Sequence, residues 1–310
     1  MNEVIAMILC NNPIALPGIK EFLFYGKVAV VVTTNRNKEM QHILSNLLKD
    51  TGVPLLLVNR KNYKDELEKT IKERGVNVGL MMTFPFIIQK ELLELPKYGF
   101  INFHYGLLPV CRGPQPVLRH LINNDAESGV TLHKIDEGVD TGPVIMQERM
   151  LIEENDTYGT LQSKLAWLGA KQAARLLQIL SYGQIIPASS QDESKAAYFE
   201  MPDATELTIK WDNMPAKQII RLVNACNPWN KGAGTSINNW VIGIIECEIS
   251  GETDDDLPPG TILSCNRIDG LVVKTCDKFR LKMNIIYTNE GFFSGWRLEQ
   301  FGISPKDTFK

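Results

Sequence analysis

The sequence predicts an α/β chain: a parallel sheet covered by helices on both faces, followed by a small β-barrel domain. Three observations predict it. The 310 residues exceed one comfortable core, so two domains of roughly 100–200 residues are expected. Short β-rich runs alternate with amphipathic stretches through the first half, the pattern of a doubly covered parallel sheet. From Glu206 the pattern changes to short, closely spaced strands. Taken in order, residues 4–10 read as a buried strand ending at the turn Asn11-Asn12-Pro13, which leads into a helix over 14–24. Residues 27–33 are a second strand, and Met40, Ile43, Leu44, Leu47 and Leu48 give 38–48 helical spacing. A strand at 54–58, a charged helix over 62–74, a strand at 76–83, a helix near 86–95 and a strand at 100–103 continue the alternation. The apolar stripe from Leu161 to Leu180 makes 157–180 one long helix. Residues 187–202, rich in Ser, Ala, Asp and Pro, read as a linker. A short helix at 215–225 and strands at 240–248, 260–265, 270–276 and 279–286 follow. Lys231-Gly232-Ala233-Gly234-Thr235 reads as a turn, and Asp254-Asp255-Asp256 as a solvated loop. The expected division is a first domain over 1–185, a linker over 186–205 and a second domain over 206–310.

Composition excludes several classes. With 44% hydrophobic and 22% charged residues and a net charge of −3, the chain is not collagen-like, disordered or strongly basic. No apolar run approaches the roughly 18–20 residues of a membrane helix, so no membrane partner is expected. The start Met1-Asn2-Glu3-Val4 carries an acid where a signal peptide needs a basic residue. Cys10, Cys111, Cys226, Cys247, Cys265 and Cys276 form no CxxC pair, so neither a metal site nor a disulfide framework is expected. A reduced, cytoplasmic protein is the expectation. There is no GxGxxG after the first strand and no GxxxxGK[ST] anywhere, so no dinucleotide or P-loop cradle is read.

The chemistry is concentrated between Asn102 and Gly142. Asn102 and His104 sit two apart at a strand end, so their side chains share one side of a sheet. Open α/β sheets keep their sites at that end of the strands. Asp140 lies in a loop flanked by Gly138 and Gly142, which allows a tight backbone that aims a carboxylate inward. Amide, imidazole and carboxylate together can polarise a carbonyl, move a proton and orient its carrier. His133 alternates with Leu132 on a strand and reads as a packed or surface residue.

These residues carry a resemblance. The run N-x-H-x-x-L-L-P from Asn102 to Pro109, the following Arg112-Gly113-Pro114, and D-x-G-x-D-T-G from Asp136 to Gly142 resemble the formyltransferases that use 10-formyltetrahydrofolate. The likeness covers roughly 1–185. Asn227-Pro228-Trp229 and Pro259-Gly260-Thr261-Ile262 are similar to the C-terminal part of the methionyl-tRNA formyltransferases within that family. The resemblance implies a Rossmann-like catalytic domain with a mostly parallel sheet and an OB-like barrel. It implies 10-formyltetrahydrofolate as formyl donor, no metal, and Asn102, His104 and Asp140 as the catalytic residues. Met81 and Met82 match positions that line the pterin pocket in relatives, and read otherwise as core. Leu107, Asp136, Gly138 and Val139 are further candidates for the donor site, with Asp136 read first as stabilising the loop that presents Asp140. Arg112 and Gly113 are candidates for contacting the acceptor, with bracing of the loop the other reading of Arg112. One residue departs from the family: Gly106 stands where serine is usual, which removes a hydroxyl and keeps the turn.

The acceptor is read as a small primary amine, such as a nucleotide-linked amino sugar. The resemblance supplies the comparison: methionyl-tRNA formyltransferases carry a longer basic insertion after the second strand, whereas Thr33–Lys38 here passes almost directly into a helix. Residues 206–310 hold 12 basic and 13 acidic side chains, no excess for gripping a phosphate backbone. A tRNA acceptor with a shortened loop, and a hydrolase that gives the formyl group to water, stay open, as does the oligomeric state.

Overall fold

A computed structural model describes residues 3–254 and 256–310. Met1 and Asn2 of the amino-terminal stretch, and Asp255 of the acidic loop, lie outside the described residues. The chain divides into two compact units. The first runs up to Pro116 and adds Glu127–Leu151 and Gln162–Glu200; the second comprises Val117–Ala126, Ile152–Leu161 and Met201–Lys310.

The strands of the first unit are β1 (Ile5–Cys10), β2 (Lys27–Thr34), β3 (Leu55–Val58), β4 (Val78–Met82), β5 (Phe100–His104), β6 (Glu127–Lys134) and β7 (Val144–Leu151). They form one sheet in the order β3-β2-β1-β4-β5-β6-β7. The first five are parallel, β6 runs antiparallel to β5, and β7 runs antiparallel to β6. The sheet is therefore mostly parallel, as expected for this fold class. The helices of the first unit are α1 (Leu16–Tyr25), α2 (Lys38–Leu48), α3 (Tyr63–Arg74) and α4 (Lys90–Leu93). Later in the chain, α5 (Pro116–Asn123) falls in the second unit from Val117 on, and α6 (Tyr158–Ser181) belongs to the first from Gln162 on.

Local sequence explains these elements. The Asn37 side chain accepts from the Met40 amide at 3.0 Å and starts α2, whose Met40, Leu44 and Leu48 are buried at helical spacing. In α3, Asp65 and Glu66 lie in the first turn and Lys72 and Arg74 in the last, complementing the helix dipole. Gly75 ends it in the left-handed conformation, with φ +62°. Leu67 and Ile71 of α3 pack with Met7, Leu9, Val30, Val32, Val58 and Phe100 into one core on this face of the sheet.

The second unit contains α7 (Ala216–Cys226) and the strands β8 (Ala233–Ile237), β9 (Trp240–Glu252), β10 (Ile262–Asn266), β11 (Gly270–Lys274), β12 (Phe279–Thr288) and β13 (Gly291–Ser294). They make a six-stranded antiparallel sheet, ordered β10-β11-β12-β9-β8 with β13 on β12.

Three local expectations are corrected. The helix near 86–95 shrinks to the four residues of α4. Pro85 disfavours helix at the residue before it, and burial of Phe84 and Ile88 pins the segment in the core instead. The turn at 231–235 ends at Gly232, and Ala233 already begins β8. The stretch read as a linker is tied to the first unit as far as Glu200: Ser189 exchanges both backbone hydrogen bonds with Val144, and Ala197 bonds Pro109 and Arg112.

Candidate active site

The β5 strand brings Asn102 and His104 to the end of the sheet on one face, with Ile101 and Phe103 on the other. Met81 of β4 pairs with Asn102 and lies on the same face. The antiparallel return of β6 then sets His133 opposite Asn102 and Thr131 opposite His104. Asn102, His104 and His133 are all buried.

Hydrogen bonds fix the tautomers. His104 Nε2 lies 2.7 Å from the Cys111 carbonyl, which can only accept, so Nε2 carries the hydrogen. His104 Nδ1 then faces Asp140 Oδ1 at 3.6 Å. His133 Nδ1 lies 2.8 Å from the Lys134 carbonyl and must donate to it. His133 Nε2 is left to accept from Asn102 Nδ2 at 3.0 Å. The other Asn102 amide hydrogen goes to Asp140 Oδ1 at 3.2 Å.

The Asp140 loop is built for one conformation. Asp136 Oδ1 accepts from the Gly138 amide at 3.1 Å and from Thr141 Oγ1 at 2.6 Å, closing the loop internally. A side chain at Gly142 would sit 1.8 Å from the Lys134 carbonyl oxygen. Asp140 itself adopts φ +56°, uncommon outside glycine. Its Oδ2 accepts from the Gly113 amide at 3.0 Å. That approach needs glycine, because Gly113 has φ +117° and any Cβ would lie 2.0 Å from the Phe199 carbonyl oxygen. Burial pushes the Asp140 carboxyl up, yet the charge of His104, the contact with His133 and the Gly113 amide outweigh it and hold the group at about 2.

Each residue singled out in the sequence has a definite place. Asn102, His104 and Asp140 come together; His133, read as packed or surface, is buried and joins them. Met81 is partly exposed beside Asn102, but Met82 is fully buried and packs where a side chain at Gly18 of α1 would begin. Leu107 is buried against Gly129 of β6. Asp136 and Gly138 organise the loop, and Val139 is 44% exposed beside Asp140. Gly113 spends its amide on Asp140. The Arg112 guanidinium is engaged internally: Nη1 and Nη2 donate to Glu193 at 3.0 and 2.7 Å, and Nε and Nη2 to Gln191 Oε1 at 3.2 and 2.9 Å. Arg112 therefore braces a loop in this structure. At Gly106 a Cβ would lie 2.5 Å from Pro116 Cβ and 3.0 Å from His104 Nε2, so a serine there requires one of them to move.

The cluster offers two imidazoles, a carboxamide and an ionised carboxylate within mutual reach. Such a set can hydrogen-bond a carbonyl oxygen as it gains charge and can hold a compensating proton. Among the described residues, no group of three His, Cys, Asp or Glu side chains is placed to hold a metal ion, and no helix is long and apolar enough to cross a membrane.

Comparison with known proteins is consistent across both units. Residues 24–177 match the family described as formyl transferase, and residues 203–288 match formyl transferase, C-terminal domain. The methionyl-tRNA formyltransferase of Halothermothrix orenii is 30% identical over 276 residues, covering 85% of this chain and 86% of that protein. That of Caldicellulosiruptor saccharolyticus is 37% identical over 220 residues, covering 71% and 69%. Among solved structures, the sugar 3N-formyl transferase WlaRD, in the presence of dTDP and 5-N-formyl-THF, superposes with a TM-score of 0.65 at 21% identity, covering 91% of this chain and 97% of that one. An N-formyltransferase from Helicobacter canadensis, in complex with folinic acid and dTDP-3-aminofucose, gives 0.68 at 20% identity, covering 90% and 98%. At these identities the structural likenesses speak for the fold.

Proposed function

The chain belongs to the formyl transferase family, and we propose from that premise that it moves the formyl group of 10-formyltetrahydrofolate onto a primary amine through Asn102, His104 and Asp140. The observation that carries the assignment is the convergence of these three side chains at one strand end, with Asp140 bonded to Asn102 and facing His104. Folate derivatives in the related structures support the choice of donor. Partly exposed Met81, paired with Asn102, and exposed Val139, next to Asp140 in the chain, offer apolar surface for the flat ring of that donor.

In the proposed reaction the amine nitrogen attacks the formyl carbon, and the bond from that carbon to N10 of the folate breaks. The amine loses one proton and N10 gains one. Negative charge develops on the formyl oxygen, and the Asn102 amide stabilises it. Both Asn102 hydrogens are engaged, on His133 Nε2 and Asp140 Oδ1, so the carboxamide gives up one of these contacts to reach the oxyanion. A carboxyl held at about 2 is a poor base near neutrality. Asp140 acts instead as a fixed negative charge that favours a proton on His104 Nδ1 and so balances the oxyanion. Asn102→Ala, His104→Ala and Asp140→Ala are each expected to lower kcat by about 10²–10³ with folding intact. Near-full turnover by folded His104→Ala enzyme would overturn the assignment.

The preferred acceptor is a small amine, such as a nucleotide-linked amino sugar. Only Asn35, Arg36 and Asn37 connect β2 to α2, and residues 206–310 carry 12 basic against 13 acidic side chains. A second reading, formylation of methionyl-tRNA, is favoured by relatives of that activity at 30–37% identity. Formyl transfer to amino-sugar nucleotides, to charged initiator tRNA and to water, measured side by side as tetrahydrofolate release, separates the readings. Steeply salt-dependent turnover on the tRNA would reject the small-amine acceptor.

A further inference from the structure

We propose that Gln191 is a positioning residue for the Asp140 carboxylate, an inference that rests on Asp140 serving the transfer. Gln191 lies in the stretch that the sequence reads as a linker, seven residues past the last hydrogen bond from α6 at Gln184. Its carboxamide is used to capacity. The two hydrogens of Nε2 go to the backbone carbonyls of Asp140 and Gly142, both at 2.8 Å. The two lone pairs of Oε1 take Nε and Nη2 of Arg112, at 3.2 and 2.9 Å. Donor end and acceptor end are not interchangeable: the loop side presents only carbonyls, and the arginine side presents only hydrogens.

The clamp addresses a specific need. Asp140 carries its carboxylate from a left-handed backbone, φ +56°, which a residue with a side chain adopts at a cost. Gln191 grips the carbonyls at and just beyond that residue, so the peptide planes that set the carboxylate's direction are held from outside the loop. The same arginine that Gln191 holds precedes Gly113, whose amide donates to Asp140 Oδ2 at 3.0 Å. Backbone and carboxylate of Asp140 are therefore tied to one frame. Glu193 locks the far side of that frame through both oxygens on Arg112, and Ser189 and Val144 exchange backbone bonds at 2.8 and 2.9 Å beside it. Arg112 is buried at the centre of the frame, Gln191 is half-buried, and Glu193 closes it from the solvent side.

Gln191→Glu and Gln191→Ala test this directly. Glutamate keeps the acceptor for Arg112 but sets a carboxylate oxygen against two carbonyls; alanine removes both ends. The groups that set the charge around Asp140 are His104 on β5, His133 on β6, and Arg112 and Asp136 on the flanking loops. Loss of register with them leaves the carboxyl nearer its ordinary 3.8. The first readout is the ¹³C carboxyl resonance of Asp140, assigned by its absence in Asp140→Asn and followed at about pH 3–4, with circular dichroism on the same samples to show a folded chain. Both variants are expected to protonate there while the wild type stays ionised. The second is turnover with the amine identified in the acceptor screen: kcat falls at least tenfold, KM for the donor changes less than threefold, and Tm moves by only a few degrees. Wild-type titration in both folded variants overturns the proposal, as does a loss of kcat explained by a matching loss of folded protein. Full activity in Asp140→Asn counts against Asp140 in the reaction, whereas the titration still judges the clamp.

Discussion

Asp140 concentrates the energetics of the site in one side chain. Its carboxyl, held at about 2 against an ordinary 3.8, makes the ionised form favour the folded chain. The stabilisation is present above about pH 4 and is lost as the pH falls through about 2, and a shift of that size is worth about 2 kcal/mol. Asp140→Asn is therefore expected to be less stable than the wild type at pH 6, by an amount that shrinks steadily as the pH approaches 2. Urea denaturation of both proteins across that range measures it, and a gap independent of pH sinks the idea. Asn102, His104 and Asp140 were legible because their chemistry is local: two residues of a strand end and one glycine-flanked loop. His133 was not, because its place depends on the register between β5 and β6, which sets it opposite Asn102 from 31 residues away. Only the antiparallel return of β6 reveals it, and no nearby residue signals that return.

At the scale of elements, the packing of β4 on β5 leaves no room for change beneath the site. A Cβ at Gly79 would lie 2.2 Å from the Phe100 ring. Gly79→Ala is expected to cost about 1–3 kcal/mol through overpacking, read as a lower urea midpoint, and Gly79→Ala with Phe100→Leu is expected to recover part of it. An unchanged midpoint in the single variant contradicts that packing account. Apolar runs and periodicity located β1 to β5 and α1 to α3, most of which bury a stripe or run, although β3 buries only Val58 of its four residues. Periodicity overran at 86–95, where Phe84 and Ile88 are drawn into the core by tertiary packing. It also passed over Gln191, whose two-sided hydrogen bonding joins segments 79 and 51 residues away. Composition marked that stretch as a connector, and composition carries no record of what the backbone pairs with.

Across the whole molecule, the second unit takes Val117–Ala126 and Ile152–Leu161 from between stretches of the chain that belong to the first. These segments are integral to it: Arg119 pairs with Glu206 at 2.7 Å, and the Gly159 amide donates to the Asn227 carbonyl at 3.1 Å. A fragment of residues 1–200 therefore leaves both segments without their packing, and is expected to bind a hydrophobic dye and to melt below the full chain. A dye-silent fragment with the full chain's Tm refutes this. The β5–β6 pairing has a different consequence, in time. The contact between Asn102 and His133 closes a loop of 31 residues, whereas the contact between Arg112 and Gln191 closes one of 79. Shorter closures cost less entropy and form sooner. On a growing polypeptide, the Asn102 amide and the His133 imidazole can thus meet while Gln191, whose carboxamide holds the Asp140 and Gly142 carbonyls, has yet to be synthesised.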